Sequence, residues 1–87
     1  MLTINELADA MLAFTLLPSI NIKDEADNFV VDKDGAKPTL VHQDDGYVVM
    51  WVDDEFCTIK DFNGDTPHKA IELAYNWCVE NKLLSIN

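Results

Sequence analysis

The sequence predicts an α+β domain of layout αβββ(β)α: a central antiparallel sheet meander with an N-terminal and a C-terminal helix packed on it. Three observations carry this. Thr3-Ile4-Asn5-Glu6 has the form of a capping box, and apolar residues follow it at spacings of three and four. From Phe29 the apolar period changes to two, with turn signals at 32–35, 44–46 and 53–55. Thr66-Pro67 then sets an N-cap and an N1 proline ahead of a second helical stripe.

The elements follow in order. Thr3 caps the first helix, Glu6 sits at N3, and Leu2 and Leu7 fill the two positions of a hydrophobic staple. Ile4, Leu7, Ala8, Met11, Leu12 and Thr15 predict one buried stripe over residues 3–16, and Pro18 stops the helix by restricting Leu17. Ile20 and Ile22 alternate with polar residues, as in a short strand, and residues 23–28 read as a solvated loop. Phe29-Val30-Val31 predicts a short strand before the turn Asp32-Lys33-Asp34-Gly35. Thr39 to Gln43 predicts another, with Pro38 suited to a strand start or an edge. Asp44-Asp45-Gly46 predicts a tight hairpin in which Gly46 supplies positive φ.

Tyr47 to Val52 is the strongest strand, and Asp53-Asp54-Glu55 turns the chain into a return strand, Phe56 to Phe62. Asn63-Gly64 reads as a further turn. The last helix is expected from Thr66 to about Leu84, with Ile71, Ala74 and Cys78 facing inward and Ala70, Tyr75 and Trp77 flanking them. A strand with one wet face alternates apolar and polar residues. Tyr47-Val48-Val49-Met50-Trp51-Val52 does not, so both of its faces call for cover. Two helices are available, and partial helix cover on both faces is expected. The alternative packs both helices on one face and leaves the other for a partner or a second copy.

Composition narrows the function classes. Eighty-seven residues make a single domain, 1–87, and 48% apolar content suits a globular chain. No run approaches the ~18 apolar residues that span a bilayer. No basic region precedes an apolar stretch at the N-terminus, and two cysteines are too few for a disulfide framework. A cytoplasmic protein with free thiols is the expectation. Sixteen acids face six lysines and no arginine, for a net charge of −10. Direct nucleic-acid binding lacks the cations that release counterions, and an anionic membrane is disfavoured for the same reason. Residues 22–65 hold twelve of the acids and four of the lysines. Single acids of this kind usually serve solubility, but a cluster also fits a partner with a basic surface.

Catalytic and metal signals are weak. Asp61, Asn63, Asp65 and Glu72 fall at positions 1, 3, 5 and 12 of an EF-hand-like loop. Thr66 stands where that loop requires glycine and His68 where it requires an apolar residue, so a turn and a helix cap explain the segment. His42 and His68 lie in no two-histidine spacing, and surface or partner contact is their expected role. Cys57 is expected on a strand and Cys78 inside the last helix, both as buried, inert thiols. No paired base accompanies either, so no enzyme, metal or cofactor is predicted. Asp44, Asp45, Asp53, Asp54 and Glu55 remain as candidate partner-binding residues, at opposite ends of the 47–52 strand and about 20 Å apart. Further acids, Asp24, Glu25, Asp27, Asp32 and Asp34, sit in expected loops.

Gly46 to Cys78 resembles the strand–strand–helix ending of phage ABA-sandwich proteins, through Gly64-Asp65-Thr66-Pro67 followed by Ala70-Ile71. The leading helix at 3–16 fits that family's order. The same stretch is similar to HicB-type antitoxins, although their LPGC-like turn is missing and an N-terminal helix is present. Both resemblances cover less than half the chain, and neither carries over a catalytic residue. They imply a small phage- or prophage-encoded protein of a kind mostly without known function, or an antitoxin that binds a basic toxin, which the acidity fits too. The first expectation is therefore an accessory protein that inhibits a host protein with a basic nucleic-acid-binding surface by mimicking nucleic acid, as anti-CRISPR and anti-restriction proteins do. The second is a structural or assembly component, or a homodimer formed through an uncovered sheet face.

Overall fold

The computed structural model describes residues 11–22 and 28–84. The capping box at Thr3–Glu6, the Leu2–Leu7 staple and the loop acids Asp24, Glu25 and Asp27 lie outside the described residues. Residues 11–15 are helical. Then come β1 (Ile20–Ile22), β2 (Phe29–Val31), β3 (Lys37–Gln43), β4 (Gly46–Val52), β5 (Thr58–Gly64) and the C-terminal helix (Pro67–Glu80). This is the α+β layout expected from the sequence.

Both sheets are antiparallel. β1 and β2 form one and β3-β4-β5 the other, with β4 in the centre. Among the described residues a bridge of Ile20 with Ala36 links them through reciprocal N–H···O bonds of 2.9 and 2.7 Å. β3 starts at Lys37 and so takes in Pro38, which an edge strand tolerates because its missing N–H faces away from a partner strand. β5 begins at Thr58, two residues later than expected, because Phe56 and Cys57 are taken up by the turn. It runs on to Gly64, so Asn63-Gly64 is the end of a strand and not a turn. Ile59 is the extra residue of a bulge: Trp51 pairs with Lys60, but Val52 pairs with Thr58.

The core gathers on one face of β4. Val49 and Trp51 pack with Ala70, Ile71, Ala74 and Cys78 of the C-terminal helix, joined by Leu17, Ile20, Ala36 and Leu83. Trp77 meets Phe29, Trp51 and Phe62 at ring-centroid distances of 5.1, 5.6 and 5.5 Å. The Trp51 indole Nε1–H donates to the Pro18 carbonyl at 2.8 Å, which satisfies the one polar atom of the largest buried side chain. That bond fixes the end of the first helix on the Trp51 side. Ala13 and Phe14 pack on the same core. The described helical residues therefore follow the alternative arrangement, with both helices on one face. Val48 points the other way and is still only 1% exposed.

The expected stripe of the first helix is corrected over its described part. Met11 and Leu12 are 60% and 61% exposed and Thr15 is exposed too, while Leu17 is buried and Ala13 and Phe14 lie against the core. The residues three and four positions before Leu17 share its face, and Leu17 is the one held next to Pro18. Bonds of the i→i−3 type, Leu16 N to Ala13 O and Leu17 N to Phe14 O, both 3.1 Å, tighten the last turn.

The C-terminal helix begins as expected. Thr66 is extended, its side chain accepts from Lys69 N at 3.1 Å, and Pro67 opens the helix. It stops at Glu80, before Leu84, because Lys82 enters the left-handed region at φ 58. Leu83 N then bonds Cys78 O at 2.8 Å and Lys82 N bonds Val79 O at 3.2 Å, the paired bonds of a Schellman motif. The reversal returns Leu83 to the core beside Cys78.

Candidate functional site

The two acidic turns occupy the two ends of β4. At one end, β3 and β4 are joined by the two-residue turn Asp44-Asp45 between the paired residues Gln43 and Gly46. Gly46 has φ 152, and a Cβ there would come within 2.5 Å of Gly64 O. Glycine thus lets the turn settle against the end of β5, where Asp65 follows. Asp44, Asp45 and Asp65 line one open cleft of about 580 Å³, with Tyr47 and Asn63 among its other walls. Both turn aspartates are exposed. His42 stacks on Tyr47 at 4.6 Å with an interplanar angle of 21°, a cross-strand pair on the same hairpin.

At the other end, Asp53 acts within the turn. Its Oδ1 accepts from Glu55 N and from Cys57 N, both at 2.9 Å. Its N–H donates to Cys57 O at 3.0 Å, and its carbonyl accepts from Phe56 N at 3.0 Å. Asp53 is only half-exposed, and its carboxylate holds this loop in shape. Of the three acids expected here as partner contacts, Asp54 and Glu55 are free on the surface, and Asp53 positions them. Between them and β5 stands Phe56, 90% exposed and held at φ 63. Sequence reasoning assigned Phe56 to a strand. The signal that identifies it is the pattern D-D-E-F-C, in which an aromatic directly follows the acids of a turn.

Asp32 resembles Asp53. It accepts from Asp34 N at 2.9 Å and from Asn21 Nδ2 at 3.4 Å, so it also shapes its own turn. Among the described residues the ion pair is His68 Nε2 with Glu72 Oε2 at 3.6 Å, one helical turn apart. No lysine pairs with Asp44, Asp45, Asp54 or Glu55 there. Lys60 sits over the Phe62 and Trp77 rings at 5.3 and 5.4 Å, a cation–π placement on the edge of the aromatic core.

The other sequence candidates resolve individually. Asp61 and Asn63 lie in β5 and Glu72 lies on the C-terminal helix, bonded to His68, so the EF-hand-like spacing is not a loop. No group of three or more His, Cys, Asp or Glu among the described residues is placed to hold a metal ion. Cys78 is buried, and desolvation pushes its thiol pKa up to about 12, which keeps it protonated and unreactive near neutral pH. Cys57 corrects the expectation: it is exposed in the turn instead of buried on a strand, because Asp53 draws its N–H into the loop. Among the described residues no helix is long and apolar enough to cross a membrane. The chain matches no family model, no curated protein and no solved structure.

Proposed function

We propose that this chain acts by binding: a small acidic accessory protein of phage or prophage type that covers the basic, nucleic-acid-binding surface of a host protein in the cytoplasm. The observation that carries this reading is the pair of exposed acidic turns, paired with no lysine among the described residues, at the two ends of one strand. Asp44 and Asp45 stand at one end, with Asp65 beside them, and Asp54 and Glu55 at the other. Strand rise puts the ends about 20 Å apart. A basic surface long enough to track a nucleic-acid backbone can meet both. Charge of this kind steers association and sets its salt dependence. Phe56 adds an apolar ring within the second turn, where a contact centred on an aromatic anchor would gain most of its affinity.

The test reverses Asp44, Asp45, Asp54 and Glu55 to lysine and keeps Asp53, because Asp53 holds its loop. Capture of a basic host protein by the parent chain should be displaced by added DNA and by salt. The reversed chain should capture nothing while its circular dichroism is unchanged. Capture that survives the reversal at physiological salt would sink the reading.

A further inference from the structure

We draw no further inference here: the strongest candidate, the open cleft of about 580 Å³ between the Asp44-Asp45 turn and the end of β5, walled by Asp44, Asp45 and Asp65, belongs to the site already described, and nothing in the structure points to a ligand for it.

Discussion

At the scale of single residues, Phe56 is the position where local energetics and exposure disagree. An L-residue in the left-handed region costs about 1–2 kcal/mol, and asparagine or glycine is the usual occupant. Phe56 takes this conformation while its ring is 90% exposed. Its removal therefore sacrifices almost no buried area. Phe56→Asn should stabilise the fold by about 1 kcal/mol, read as a higher urea midpoint at unchanged slope. A lower midpoint would mean that the ring packs on something within the chain. Asp53 shows the opposite relation. Its side chain is spent on two backbone N–H groups, so a residue that reads as one more acid in a cluster serves the loop that presents the others.

At the scale of elements, the C-terminal helix is held close to the sheet by the absence of a side chain. A Cβ at Gly64 would lie 2.4 Å from Ala70 N and 2.9 Å from Lys69 C, both backbone atoms that cannot swing aside. Gly64→Ala should force the first helical turn off β5 and destabilise the fold by about 2 kcal/mol or more, measurable by the same urea titration. An unchanged midpoint would show that the helix start shifts freely. The two ends of this helix differ in how far the sequence announces them. Thr66-Pro67 states the start outright. The stop depends on a lysine, Lys82, taking a left-handed conformation so that Leu83 can return to the core, and a lysine carries no such signal.

At the scale of the whole molecule, charge sets the behaviour. Ten net negative charges on 87 residues repel one another, and among the described residues the ion pair is one histidine with one glutamate. Screening should therefore stabilise the chain. Raising salt from about 0.15 M to 1 M shortens the Debye length from about 8 to about 3 Å. The melting temperature should rise by several degrees, which for a domain of this size corresponds to about 1 kcal/mol. A flat or falling melting temperature would mean that the acids are locally compensated.

The α+β class, the order of the strands and the central place of β4 were legible in residue order alone, because period, turn residues and caps are local properties. Gly46 at the hairpin and Thr66 at the helix start are of that kind. What the tertiary structure decided was which side each residue faces and which acids are free. Met11 and Leu12 fit a helical stripe as well as Ala13, Phe14 and Leu17 do. The hydrogen bond from Trp51 to the Pro18 carbonyl, 33 positions away in sequence, is what ties the end of the helix to the core side of the sheet. Asp53 and Asp54 are the same residue type in neighbouring positions, and the loop's own N–H groups separate their roles. Periodicity records that a face is apolar; what covers it is settled only by contacts between residues far apart in the chain.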